Sequence, residues 1–403
     1  MFGSKSHQNL EDPKRPLLGP NVKALNFWGL LLPKHIAWRY WYMFHHIATS
    51  VFTASECIEL FFLKHDVNLL LNNLKITMLA IMSVVKVTTF LSWQQKWKQI
   101  IEYVNRADLN QRATDDEEKL QKIGIFTKYC RTITYFYWFL MYTTCAIVIC
   151  TPIAKYFSSE SYRDDVKYGN GTYIEVVSSW VPFDKRRMSG YLVASVFQSY
   201  AAIYGGGWIT SFDTTAMVIM VFFRAELELL RIDTGNIFKN GNKEEFRKRL
   251  KICHKRHVDL VKFAHLFDTC LSPIMLLYMC VCSVMLCASA YQITTETSAM
   301  QRFLTTEYLV FGVAQLFIYC WHSNDVLYAV STFIYLPMFV SDFGSERCPH
   351  LDHKQKAIKT RLPSAINESP KCYFKRAKLP NANVTNVMKS TKYKNYLYRW
   401  RCN

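Results

Sequence analysis

The sequence predicts an all-α integral membrane protein: a seven-transmembrane helical bundle of inverted topology, with the N-terminus inside and a seventh span that is short. Three observations carry this. Half of the 403 residues are hydrophobic, yet 20% are charged and the formal net charge is +18. These two kinds of residue alternate in blocks, as in a chain that repeatedly enters and leaves lipid. Six apolar blocks are long enough to cross about 30 Å of hydrocarbon, and Lys and Arg collect in alternate connections.

The six spans run Arg39 to Leu63, Leu69 to Trp93, Ile133 to Phe157, Met188 to Phe223, Ala264 to Ala290 and Phe303 to Trp321. A weaker seventh, VLYAVSTFIYLPMFV at 326–340, has only 15 residues and contains Pro337. The chain therefore divides into an N-terminal cytoplasmic arm (1–37), a membrane domain (38–340) and a basic tail (341–403) read as disordered. From Gly344 to Asn403 there are 14 Lys and Arg against 3 Asp and Glu, so 11 of the 18 net positive charges sit there. The arm begins MFGSKSHQNLEDPKRP, polar and of mixed charge, without the short apolar core of a signal peptide. The first span then serves as its own targeting signal.

Orientation follows from the connections. The arm to Ile36, Gln94 to Arg131 and Arg224 to Lys262 carry 5, 8 and 11 Lys and Arg, 24 together, against 8 on the opposite side. The richer side is cytoplasmic. The glycosylation acceptor Asn170-Gly171-Thr172 falls in the loop between the third and fourth spans, on the side predicted to be outside.

The fourth span holds AIYGGGWITSFDTT. At 36 residues it would measure about 54 Å, more than the hydrocarbon needs. The expectation is a turn at Gly205, Gly206 and Gly207 near the inner boundary, with Trp208 at the interface and Asp213 at or beyond it, not a buried charge. Small residues let helices approach closely, and they also loosen a helix where it leaves lipid, so packing and a hinge are both open readings.

Phe197, Tyr200 and Tyr204 recur at helical spacing and share one face of the fourth span. An apolar, aromatic wall suits a small volatile ligand; ordinary packing between helices accounts for the face equally well. Thr77, Thr151 and Tyr308 lie at comparable depth in other spans. His45, His46, Glu56 and Glu59 lie in the first span, and ionisable residues inside a membrane are functional candidates by default. His254, His257 and His265 flank a basic helix with no fourth ligand at matching spacing, so no metal is expected. The 13 cysteines show no CxxC pairing and read as small buried hydrophobes, among them Cys145, Cys150, Cys270, Cys280, Cys282, Cys287 and Cys320. No Gly-rich phosphate loop, paired catalytic carboxylates or activated nucleophile is present, which excludes an enzyme and calls for no cofactor. The tail's charge could meet acidic lipid or nucleic acid, but it has no recognisable nucleic-acid module, and no nucleic-acid partner is expected.

Four stretches carry a family resemblance: VSSWVPFDKRRMSGYLVASVFQSYAAIYGGGW (177–208), DTTAMVIMVFFRAELELLRIDTGNIF (213–238), CHKRHVDLVKFAHLFDTCLSPIMLLYM (253–279) and LFIYCWHSNDVLYA (316–329). With the N-inside topology, the chain resembles an insect odorant receptor, in detail a moth one, over about residues 20–330. The resemblance implies a plasma-membrane protein of olfactory sensory neurons. It further implies a subunit of a ligand-gated cation channel, formed with a shared co-receptor as a hetero-oligomer, in family terms a tetramer. The inner helix ends should build a cytoplasmic anchor, the seventh helices should line the pore, and small volatile odorants should bind among the outer halves of the spans, amid membrane lipid. After Tyr328 the chain departs from that pattern: from Gly344 there is no span, only a basic segment. A shifted frame, a retained intron or a variant tail would each produce this.

A gustatory receptor of the same superfamily would carry a Thr-Tyr and Gln-Phe pattern in its last span, which this chain lacks. A G-protein-coupled receptor would need an outside N-terminus and an acidic-Arg-aromatic triplet after span three. A secondary transporter would show an internal repeat.

Overall fold

Long helices dominate because the apolar blocks satisfy their backbone groups only within themselves, the one open-chain solution available in lipid. In the computed structural model, the described residues are 12–65, 67–168, 171–236, 243–295, 302, 305–306, 309–310 and 312–326. All fall within the unit Met1–Val330, and none is in a strand. The seventh span beyond Val326, the basic tail, Asn170 and Tyr308 lie outside them.

The short helix α1 (Gly19–Phe27) has Pro20 in its first turn, where a missing N–H costs nothing. Just beyond its C-cap Trp28 comes Gly29, whose φ of 72° only glycine adopts freely. Then come α2 (Ile36–Phe62), a 3₁₀ turn (Leu63–His65), α3 (Val67–Ser92) and α4 (Gln94–Arg112). The helix α5 (Glu117–Ser158) opens on Asp116, whose carboxylate accepts from the N–H groups of Glu118 and Lys119. Glu117 and Glu118 add negative charge to that first turn, the sign the helix N-terminus favours. The short α6 (Glu160–Lys167), α7 (Met188–Asn236) and α8 (Lys243–Thr295) follow, then a helical stretch at 312–326.

Several helices outrun the spans read from sequence. The third span is the later part of α5, and the fifth the later part of α8, which has 53 residues. The fourth lies within α7, whose 49 residues measure about 74 Å. Hydropathy marks only the part of a helix that sits in lipid; the polar extensions are invisible to it.

Among the described residues, four helical segments, in α2 with its turn, α3, α5 and α8, are long and apolar enough to cross a membrane, and their apolar windows are only 28%, 39%, 17% and 33% buried. Trp38, Trp41, Phe44, Ile47 and Val51 on α2, and Phe136 and Phe139 on α5, face outward. An apolar exterior of that extent calls for lipid around it.

At the other extreme, α7 from Gly207 to Leu230 is buried at nearly every position, while from Met188 to Gly206 only Ala194, Gln198 and Ala201 are buried. A helix enclosed on all sides can be apolar all round. Its neighbours there are α1, α3, α5 and α8, and Leu17, Leu18, Val22, Leu25, Trp28, Leu30 and Leu31 of the N-terminal arm are buried as well.

Three expectations for the fourth span are corrected. The helix runs unbroken through Gly205–Gly207, with no turn. The three glycines face three neighbours: a Cβ at Gly207 would lie 2.3 Å from the Trp28 ring, one at Gly206 3.2 Å from Cys145 Sγ, and one at Gly205 3.7 Å from Ser83 Oγ. Trp208 is not interfacial; it is 1% exposed and donates through Nε1 to the Trp28 carbonyl at 3.2 Å. Asp213 is fully buried. The cysteine reading holds for Cys270 and Cys282, whereas Cys150, Cys280, Cys287 and Cys320 face outward, and the described cysteines are free thiols.

Gly207→Ala should force Trp28 aside and cost about 1–3 kcal/mol, as overpacking does. Gly205→Ala meets only ordinary contact and should be tolerated. Melting of the detergent-solubilised, fluorescently tagged chain checks both; equal losses would refute the close-approach account.

Candidate functional site

Lys86 and Asp213 are lone charges in apolar stretches of α3 and α7. Their side chains are 1% and 0% exposed, and they pair at 2.7 Å. A buried charge is tolerated only when its other hydrogen-bonding capacity is met too. Asp213 Oδ1 also accepts from Tyr319 Oη at 2.6 Å, and Oδ2 accepts from Tyr137 Oη at 3.1 Å and Gln315 Nε2 at 2.6 Å. The Lys86 ammonium lies 4.8 Å from the centre of the Tyr278 ring and 5.8 Å from that of Phe212, adding cation–π attraction. One carboxylate thus collects donors from α3, α5 and 312–326, with Tyr278 of α8 closing the cage.

Towards the arm end, Glu226 accepts from Gln111 at 3.1 Å and from Arg256 at 2.8 Å. Arg256 also meets Asp233, which pairs with Lys119. Arg224 joins α7 to Asp325 at 2.5 Å. Tyr103 stacks on Phe263 with ring centres 4.1 Å apart; burial, with Glu226 and Asp259 nearby, pushes its hydroxyl above the usual tyrosine range. Leu17 N–H donates to Asp108 at 3.1 Å, so the arm is tied into the same region.

Towards the end bearing the 171–187 loop, Phe197, Tyr200 and Tyr204 form one continuous face with α2. Phe197 meets Phe52 edge-on at 5.4 Å. Tyr200 hydrogen-bonds to His45, and His45 stacks on Tyr204 at 5.2 Å. Tyr204 then touches Trp28 and Trp208, both at 5.3 Å. His46 bonds the Gly29 carbonyl at 3.0 Å. Of the other candidates, Thr77 is buried at 1% exposure. Thr151 is exposed and donates to the Ile147 carbonyl at 2.7 Å, so it is not brought to that face.

The loop lies over the same end. Gln198, 1% exposed, accepts from Val176 N–H at 3.1 Å and donates to Glu175 at 2.9 Å and Ser179 at 3.1 Å. Val176 and Val177 pack on Phe52 and Ala201. Trp180 N–H donates to the Ser55 carbonyl at 3.2 Å. Lys185 pairs with Glu175 at 2.6 Å and Glu59 at 3.7 Å.

Sequence reasoning missed Lys86, Gln198 and the pairing role of His45. Lys86 was visible as the lone charge in ITMLAIMSVVKVTTFLSW, and intramembrane charges come in pairs. Gln198 carried no signal, since only the returning loop gives it a role.

Comparisons with known proteins agree on one family. Residues 66–335 match the family model described as 7tm Odorant receptor. The chain is 21% identical to Odorant receptor 13a of Drosophila melanogaster over 321 residues, 75% of this chain and 71% of that protein. It is 25% identical to Odorant receptor Or2 of Anopheles gambiae over 123 residues, 29% of this chain and 32% of that one. The fold is similar to that of the insect olfactory receptor OR5 from Machilis hrabei, with a TM-score of 0.67, 17% identity and coverage of 78% of this chain and 80% of that one. A second structure of that receptor, in complex with eugenol, gives a TM-score of 0.65 at 18% identity, with the same coverage.

Removing one member of the buried pair, by Lys86→Met or Asp213→Leu, should destabilise the fold by about 3–5 kcal/mol, because the other charge is left alone. The double variant should recover much of that loss. Melting temperatures of the three variants decide it: a double variant no better than the worse single would show the pair is not the coupled unit described.

Proposed function

Because the chain belongs to the 7tm odorant receptor family of insects, whose members are receptors and not enzymes, we propose that it binds small volatile organic molecules and gates a cation current with a shared co-receptor. It acts in the plasma membrane of olfactory sensory neurons, surrounded by lipid, as one subunit of a hetero-oligomeric, tetrameric channel. The N-terminus and the anchor formed by α4 and the ends of α5, α7 and α8 lie in the cytoplasm. The 171–187 loop lies outside, where Asn170 can carry a glycan.

The observation that supports this reading best is the aromatic face of Phe197, Tyr200 and Tyr204, roofed by the loop and continuous with His45 on α2. An apolar wall with a few hydrogen-bonding groups is what a volatile of low polarity requires. Thr77 and Tyr308 extend the candidate set, with Thr151 the least suited. That the similar Machilis hrabei receptor takes eugenol is consistent with a ligand of this kind. Ligand pressure on α7 has a route onward: the same helix carries Asp213, which holds 312–326 through Gln315 and Tyr319. Gly205, Gly206 and Gly207 then serve as the close-packing segment between the two.

Tyr200→Ala and Tyr204→Ala should each reorder the responses of co-receptor-expressing cells to an odorant panel, by about tenfold for the affected odorants, the scale of one or two lost contacts. Unchanged half-maximal concentrations across the panel would remove this face from the pocket. Orientation is tested separately, by antibody access to tags at both ends of the chain. The N-terminal tag should need permeabilised cells, and staining of that tag on intact cells would overturn the topology.

A further inference from the structure

Among the described residues, the buried carboxylates other than Glu56 are provided for, Asp268 by Ser272. Asp108, Asp213 and Glu226 each collect two or more donors. Glu56 on α2 is 2% exposed, yet its Oε2 is buried with no hydrogen-bond partner. The nearby cation is engaged elsewhere: Lys185 pairs with Glu59 and Glu175. A buried acceptor left unmet is costly, and it is explained when something absent from the free protein meets it.

Its position follows from the register of α2 against α7. His45 meets Tyr200 and Tyr204, and Phe52 meets Phe197, so numbers rise along α2 as they fall along α7. One further turn along α2 is Glu56, and one further turn back along α7 is Ala194, which is 2% exposed. The residue opposite the carboxyl is therefore a single methyl. Thr49 and Thr53 share the buried face of α2 with it, and the backbone N–H of Trp180 in the loop closes onto the neighbouring Ser55 carbonyl.

We propose that Glu56 is the polar anchor of the volatile-binding site, and that the site takes hydroxyl-bearing volatiles, the hydroxyl donating to Glu56 while the apolar body lies along Phe52, Phe197 and Tyr200. This rests on the odorant-receptor reading. An alcohol can both donate to and accept from the Glu56 carboxyl, whereas an ether of the same size fits the same wall and can only accept, so the anchor favours the alcohol by hydrogen bonding and not by shape.

The test uses isomeric pairs: hexan-1-ol with methyl pentyl ether, and 2-phenylethanol with benzyl methyl ether. Two readouts are taken on the full chain: current in cells with the co-receptor, and thermal stabilisation of the detergent-solubilised protein. The wild type should prefer each alcohol over its ether. Glu56→Leu should lower the response to alcohols by about tenfold, the scale of one hydrogen bond to an otherwise unmet group, and lower the response to ethers less, so that the alcohol-to-ether ratio falls. Glu56→Gln, which keeps an acceptor oxygen, should retain the preference. The proposal is overturned if Glu56→Leu leaves the alcohol-to-ether ratio intact, if Glu56→Gln loses it as fully as Glu56→Leu, or if neither alcohol stabilises the wild type. Should Glu56→Leu not fold, Ala194→Leu decides, since the added bulk at the position facing Glu56 should abolish stabilisation by both alcohols and its persistence sinks the site. Stabilisation by alcohols without any current would defeat the channel reading and leave the site standing.

Discussion

A carboxylate and an ammonium buried in apolar surroundings are each too costly to exist alone, and a bare pair does little better than break even. The Lys86–Asp213 pair is possible only because Tyr137, Gln315 and Tyr319 arrive at the same carboxylate and Tyr278 lies beside the ammonium. Every helix that supplies one of these groups must be in place before the charges can be. That makes the pair a register lock for the bundle: a helical slip of one residue would turn a donor away and leave a charge unmet. The rest of the arm-end core, from Trp97 and Phe212 to Phe267, packs around an arrangement the pair has already chosen.

The same constraint explains why α7 changes character along its length. Where it carries Asp213 it is surrounded, and close approach matters more than helix propensity. Three glycines in a row are a penalty in a soluble helix; here they admit Trp28, Met141 with Cys145, and Ser83 on successive sides. Where α7 runs on towards Met188 it has fewer neighbours, and aromatic side chains, not glycines, line its contact with α2. One continuous helix thus has a tightly held half and a loosely held half.

Both ends of the bundle are closed by segments that hydropathy treats as connections. The arm inserts Leu18, Leu25 and Trp28 beside α7, and the loop is held chiefly by Gln198, which meets four loop groups at once, with Trp180 and Lys185 adding contacts to α2. Polar side chains do this work because loop backbone, unlike helix backbone, leaves N–H and C=O groups that something else must satisfy. Among the described residues, Glu56 stands out against that background as the buried carboxyl with an oxygen that has no hydrogen-bond partner.

The block pattern of the sequence by itself determined the all-helical class, because hydrophobic length is a local property that neighbours in space do not alter, and the family was legible in four stretches whose residues resemble it. The sequence also exposed the aromatic face of Phe197, Tyr200 and Tyr204, since helical periodicity alone sets which residues share a side. Only the tertiary structure decided what the polar exceptions do. Asp213 read as a boundary residue, and the glycines as a turn, because a single helix in isolation offers no partner for either. The lysine that neutralises Asp213 lies 127 positions away, and the ring that fills the space above Gly207 lies in the N-terminal arm. Charge burial and close packing are pairwise properties, and which residues pair is settled only when the helices meet.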